Sequence, residues 1–307
     1  MNNFVLPLSV PKNKQKEYKK NWQIATKKTG KLLLFAGDQK IEHLNDDFIG
    51  KNISKEDQNP EHLFKIASHA NIGVFASHLG LISRYGAKYK KIPYIIKMNG
   101  KTNLYKTKDA HSQALHSVSD LIKIKNNNKL NIVGVGYTIY LGSKYEKEML
   151  SEASRIIFDA QQQGLLTILW IYPRGPHIKN DEDIHLNAGA AGVANALGAD
   201  FVKLKYPYKN TITNTAKKYQ EVIKAAGNTK VICVGGSQKS ANDYLKFVHE
   251  QINKAKSGGV AVGRNVHQRS LVDASKLLAA LSAIIYDNQD LKTAKDIYKK
   301  AINVNKK

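Results

Sequence analysis

A train of eight short apolar runs restricts what this chain can fold into more than any other feature. They fall at residues 32–36, 72–76, 94–98, 132–140, 165–172, 201–206, 231–234 and 260–262. Each has the length of a strand, and near-continuous apolar character marks strands buried on both faces. Helix-like stretches at 146–163, closed by Gly164, and at 188–197 and 216–226 lie between them. Strands alternating with helices imply parallel βα units, and eight units is the number at which such a sheet closes on itself. An open, doubly wound sheet is the competing arrangement. Closure is favoured because no Gly-x-Gly-x-x-Gly follows the first run, whereas glycine-rich ends follow the last two. The expected fold is an α/β chain forming one (β/α)8 TIM barrel domain over residues 1–307, its core at about 31–285. A basic N-terminal arm, to about residue 30, and a C-terminal helical extension, from about 288, flank it. The polar stretch 51–61 and the lysine/asparagine tract 123–129 read as accessory structure.

A hydrophobic fraction of 42% with 24% charged residues is that of a folded globular chain. The formal charge of +23 is carried mainly by lysine, since Arg84, Arg155, Arg174, Arg264 and Arg269 are the only arginines. Nucleic-acid readers lean on arginine for bidentate contacts, so dispersed lysine points to a solvated surface and to no specific nucleic-acid partner. Polyanion binding by a barrel without catalysis is the competing reading. Cys233 is the only cysteine, which leaves no internal disulfide and no cysteine metal cluster. Together with the absence of an apolar run near ~18 residues and of a small-residue cleavage site, this predicts a cytoplasmic protein without membrane attachment.

Chemistry concentrates at the C-terminal ends of the predicted strands. In Gly198-Ala-Asp-Phe-Val-Lys-Leu-Lys-Tyr206, a period of two puts Lys203 and Lys205 on one face and Val202, Leu204 and Tyr206 on the other. If the apolar set packs on helices, both lysines point into the barrel, where desolvation and a neighbouring ammonium favour a neutral, nucleophilic amine. Otherwise they are rim lysines whose stems reach solvent. On the preceding strand Trp170 and Tyr172 share a face, either lining the same site or filling the core, and Arg174 follows as an anion contact or a loop cation. Val234-Gly-Gly-Ser237 and Val262-Gly-Arg-Asn265 end the last two strands, where such barrels hold phosphate; Gly235, Gly236, Ser237, Gly263 and Arg264 are the candidate contacts. Asp38 stands after the first strand, either handling hydroxyl protons or capping the next turn. His43, His78 and His177 form no spaced metal motif, so no metal is expected.

With these residues in hand, the chain resembles the archaeal-type class I fructose-bisphosphate aldolases, relatives of the deoxyribose-phosphate and tagatose-bisphosphate aldolases, from about residue 31 to 281. The segments FAGDQKIEHLNDDF at 35–48, VGYTIYLGS at 135–143, WIYPRG at 170–175, GADFVKLKY at 198–206, VGGS at 234–237 and VGRNVHQ at 262–268 carry the resemblance. It implies that Lys203 forms an imine with the dihydroxyacetone phosphate portion of a phosphorylated sugar. It further implies that Tyr172 gives and takes protons, that Asp38 assists at the reacting hydroxyl, and that Gly236, Ser237, Gly263 and Arg264 hold phosphate. Trp170 would line the sugar site, and His43 matches a family histidine near Asp38. Asp38-Gln39-Lys40 stands where many relatives carry Asp-His-Gly. No cofactor is implied, and the relatives form ring-like homo-oligomers, often decamers. A same-family aldolase or transaldolase-like enzyme acting on another phosphosugar is the competing reading within that class.

Overall fold

The computed structural model describes residues 4–207 and 214–300. Its strands are β1 Leu32–Ala36, β2 Val74–His78, β3 Tyr94–Lys97, β4 Ile132–Leu141, β5 Leu166–Pro173, β6 Phe201–Leu204, β7 Lys230–Val234 and β8 Gly259–Val262. They pair in chain order, all parallel, and β8 closes onto β1 from Leu32↔Gly259 to Phe35↔Val262. Helices fill the connections, so the chain is the (β/α)8 barrel that the run of apolar segments predicts.

Alternation along each strand builds two cores. Leu33, Phe35, Phe75, Val202 and Leu204 face outward into the layer shared with the helices, while Leu32, Leu34, Ala36, Ile168, Phe201 and Ala261 fill the lumen. Burying each large side chain contributes about 1.5–3 kcal/mol. Ser117, Asp183, Ser240 and Ser270 fix where four barrel helices begin by accepting a backbone N–H in the first turn, each cap contributing about 1 kcal/mol.

Several flanking segments differ from expectation. The basic arm is not a surface appendage: its helix Gln15–Thr26 covers the N-terminal end of the barrel. There Tyr18, Trp22 and Ala25 join the lumenal core, Trp22 stacks on Phe201 with ring centroids 5.0 Å apart, and the Tyr18 hydroxyl donates to Asp200. The tract 123–129 is not accessory, because it completes the helix Val118–Asn128 that crosses from β3 to β4, and Lys125 reaches Glu17 on the arm. The stretch 216–226 breaks at buried Tyr219 into Thr215–Lys218 and Gln220–Ala225. β2 starts two residues later than its apolar run suggests, at Val74, which brings His78 to the catalytic rim. At the other terminus, helix Leu291–Lys299 packs on Leu271–Ile285 and buries Ala294. Among the described residues, no helix is long and apolar enough to cross a membrane.

Candidate active site

At the C-terminal mouth of the barrel lies a cavity of about 430 Å³. Lys203 projects into it from β6, only 5% exposed, and its Nζ lies 5.2 Å from the centroid of the Trp170 ring. The β5–β6 register places Trp170 directly beside Lys203. Val202 and Leu204 pack outward, as period two requires. Burial pushes the Lys203 amine down from the usual lysine range, with the Arg264 charge acting in the same direction, while the Asp38 and Glu42 carboxylates oppose both. Its Nζ makes no hydrogen bond among the described residues.

Lys205 departs from the expected arrangement. β6 ends at Leu204, so Lys205 lies beyond the strand at the cavity rim, ion-paired with Asp181. A second buried lysine, Lys97, stands at the end of β3, and burial lowers its amine, the Lys203 charge adding to this against the Asp38 and Glu42 carboxylates. Neither Lys97 nor Glu42, which lines the cavity, stands out in the sequence as a catalytic candidate.

Tyr172 lines the cavity one lumenal position beyond Trp170. Burial, and then the facing Glu42 and Asp38 carboxylates, hold its phenol well above the usual tyrosine value, so it keeps its proton. Asp38 also lines the cavity, and although it precedes the helical turn Gln39–Glu42, its side chain makes no capping hydrogen bond. The capping alternative therefore falls, and the carboxylate is left facing the cavity. Glu42 accepts from the Tyr140 hydroxyl at 3.3 Å and lies 3.9 Å from Arg174 Nη1.

On the far side, the loops after β7 and β8 form one wall. Gly235, Gly236, Ser237, Gly263 and Arg264 all line the cavity. Gly236 adopts φ +72°, a left-handed conformation that favours glycine. A side chain on Gly263 would meet Gln39 Nε2 at 2.4 Å. Asn265 ties the two loops together by donating to the carbonyls of Gly235 at 3.2 Å and Ser237 at 2.9 Å, a brace that the VGRN motif carried without its purpose being legible. His43 lines the cavity and hydrogen-bonds through Nδ1 to Asp47 at 2.5 Å. That bond raises the imidazole above its ordinary value against the effect of burial. Asp47 in turn lies 3.9 Å from Arg264. Among the described residues, no cluster of His, Cys, Asp and Glu could hold a metal ion.

Residues 32–269 match the profile of the DeoC/LacD family aldolases. The chain belongs to that family. As a family member it is an aldolase, and so a lyase, which sets aside the reading as a non-catalytic polyanion binder. Over 293 residues the aldolase is 52% identical to the fructose-bisphosphate aldolase/6-deoxy-5-ketofructose 1-phosphate synthase of Methanocaldococcus jannaschii, a match covering 95% of this chain and 94% of the relative. It is 36% identical to the class 1 fructose-bisphosphate aldolase of Thermoproteus tenax over 85% of this chain and 92% of the relative. The fructose-bisphosphate aldolase structure from Slackia heliotrinireducens superposes with a TM-score of 0.93 at 43% identity, covering 98% of this chain and 96% of that one. An archaeal fructose-1,6-bisphosphate aldolase whose catalytic lysine is covalently bound to the carbinolamine intermediate matches with a TM-score of 0.76 at 32% identity, covering 88% and 99% respectively.

Proposed function

We propose that this aldolase is a class I enzyme that reversibly cleaves fructose 1,6-bisphosphate to dihydroxyacetone phosphate and glyceraldehyde 3-phosphate, with Lys203 as the imine-forming nucleophile. The observation carrying this reading is a desolvated lysine amine, without a hydrogen-bonded acceptor among the described residues, facing a cavity walled by two glycine-rich loops.

The chemistry follows from those positions. Neutral Lys203 adds to the C2 ketone and water is lost, leaving a cationic iminium. The C4 hydroxyl gives up its proton to the Asp38 carboxylate, the C3–C4 bond breaks, and its electron pair moves toward the iminium nitrogen to form an enamine. The aldehyde half leaves first. Tyr172, which burial keeps protonated, delivers a proton to C3, and water then hydrolyses the iminium to release the ketose phosphate and regenerate the amine. The Trp170 indole N–H is buried without a hydrogen-bond partner among the described residues, which suits it to a sugar oxygen. Gly236, Ser237, Gly263 and Arg264 grip a phosphate remote from the reacting bond, and this binding energy orients the ketone. Lys205 and Arg174 stand at the rim for the other phosphate. The same reading places the enzyme in the cytoplasm as a homo-oligomer, a state that light scattering measures directly.

Treatment with borohydride and dihydroxyacetone phosphate, followed by mass spectrometry, is the direct test. The expected adduct sits on Lys203, and Lys203→Met should abolish both adduct and turnover. Full activity with an unmodified Lys203 would end the proposal. A second reading, synthesis of another phosphorylated ketose, is favoured by the 52% identical Methanocaldococcus protein, which is also named a 6-deoxy-5-ketofructose 1-phosphate synthase. Comparing kcat/KM across phosphosugars separates the two.

A further inference from the structure

The proposed chemistry leaves a second buried lysine without a task. Lys97 is 4% exposed, with His78 of β2 and Gly136 of β4 as its register neighbours. Its Nζ donates to the backbone carbonyl and to Oδ1 of Asn99, both at 2.8 Å. Asn99 is itself fixed. Its Nδ2 donates to the carbonyls of Ser112 at 2.8 Å and Thr138 at 2.9 Å, and its Oδ1 accepts the Thr138 N–H at 2.8 Å. The amine therefore occupies a socket whose every polar neighbour is held in place. Enclosing an ammonium in this way is costly unless it has a role or a partner.

Lys97 and Lys203 approach the same indole, with Nζ atoms 5.7 Å and 5.2 Å from the Trp170 ring centroid. Asp38 and Glu42, on the segment after β1, act on both amines, and Arg264 acts on Lys203 from the β8 loop. His78, on β2, is held down to about 4 by burial and by Lys97, so near neutral pH it adds no charge. Tyr172, on β5, stays protonated and adds none either.

We propose that Lys97 is a positioning residue: it retains the proton of the lysine pair, so that Lys203 is the member left as the free amine. This deepens the proposed function and rests on Lys203 as the imine former. Two like charges in one dry site oppose each other, so the first proton to leave belongs to the pair. Hydrogen bonding to acceptors decides which amine keeps the remaining proton, because acceptors favour the charged form. Lys97 has two oxygen acceptors, and Lys203 has none among the described residues. Burial, with the Lys203 charge acting the same way and the Asp38 and Glu42 carboxylates opposing, lowers Lys97 to about 8, so it is the two Asn99 acceptors that favour its charged form.

The test is the pH dependence of borohydride-trapped adduct formation with dihydroxyacetone phosphate in the wild type, K97Q and K97R. Gln removes the charge and keeps a donor for Asn99, and Arg keeps the charge. In K97Q the acid limb should move upward by about one pH unit, making trapping near pH 7 about tenfold slower, with K97R returning the limb toward the wild-type position. An adduct at Lys203 with an unmoved limb in K97Q overturns this proposal alone. A wild-type enzyme that forms no Lys203 adduct overturns the imine reading and this proposal with it. If circular dichroism shows K97Q unfolded, [ε-13C]lysine spectra of the wild type decide instead, with Lys203 assigned through K203M. Lys203 must then titrate below Lys97, and the reverse order overturns the proposal.

Discussion

Gly136→Ala probes how the Trp170 indole is held beside the two amines. Gly136 sits on β4 opposite Ile168 of β5, and a Cβ there would lie 2.1 Å from Trp170 Cζ3 and 2.5 Å from Cη2. Comfortable carbon contacts are about 3.5–4.0 Å, so the ring would have to withdraw by about 1.4 Å or more. It has little room, because it is 2% exposed and both lysine Nζ atoms lie within 5.7 Å of its ring centroid. Overpacking of this kind costs about 1–3 kcal/mol, and each kcal/mol lowers Tm by about 2–4 °C in a domain of this size or somewhat smaller. Misplacing a catalytic group by about 1 Å costs on the order of 100-fold in rate. The expected variant is folded and modestly destabilised in urea titrations, with kcat/KM down about 100-fold and the yield of borohydride-trapped Lys203 reduced. Wild-type stability together with wild-type turnover would show that this glycine does not set the position of the indole.

Three further outcomes follow from the site and its base. Arg264→Met should raise KM about 10- to 100-fold while lowering kcat much less, since it removes a charge-assisted phosphate contact of about 1.5–3 kcal/mol; a KM unchanged in steady-state assays would move the phosphate elsewhere. Because burial lowers the Lys203 amine, kcat/KM should climb with unit slope as pH rises toward that lowered value, and a flat acid side would argue against amine catalysis. Burial raises the Asp200 carboxyl to about 6, so the folded state binds its proton more tightly than the unfolded state. That stabilisation is present below the unfolded value and is lost as pH rises through about 6. Tyr18→Phe removes a donor to this carboxylate and should cost about 1–3 kcal/mol at pH 7 and less at pH 5, read from denaturant midpoints; an equal loss at both would refute the assignment.

The barrel was legible because parallel strands buried on both faces need uninterrupted apolar runs, a pattern visible one residue at a time. The lumenal position of Lys203 was legible for the same reason, through the parity of its apolar neighbours. Applied to residues 94–98, that parity also puts Lys97 beside Ile95 on the lumenal side, but a single lysine at the end of a short run reads equally well as a rim charge. Only strand pairing, Lys97↔Gly136 and Trp170↔Lys203, brings Lys97 to the indole. Lys205 misled because parity holds only while the strand lasts, and β6 ends one residue earlier. The tract 123–129 misled for a different reason. Most of its lysines and asparagines are exposed on a helix whose buried residues, Val118 and Leu121, lie outside the tract, and Lys125 finds its partner, Glu17, only through the fold.

The helix Gln15–Thr26 underpins the barrel from below. Tyr18 and Trp22 add a lower layer to side chains that already fill the lumen, so the cavity at the opposite mouth rests on a solid plug. Loosening that plug should reach the base of β6, where Trp22 stacks on Phe201 two residues before Lys203, although the arm lies at the far end of the molecule from the cavity.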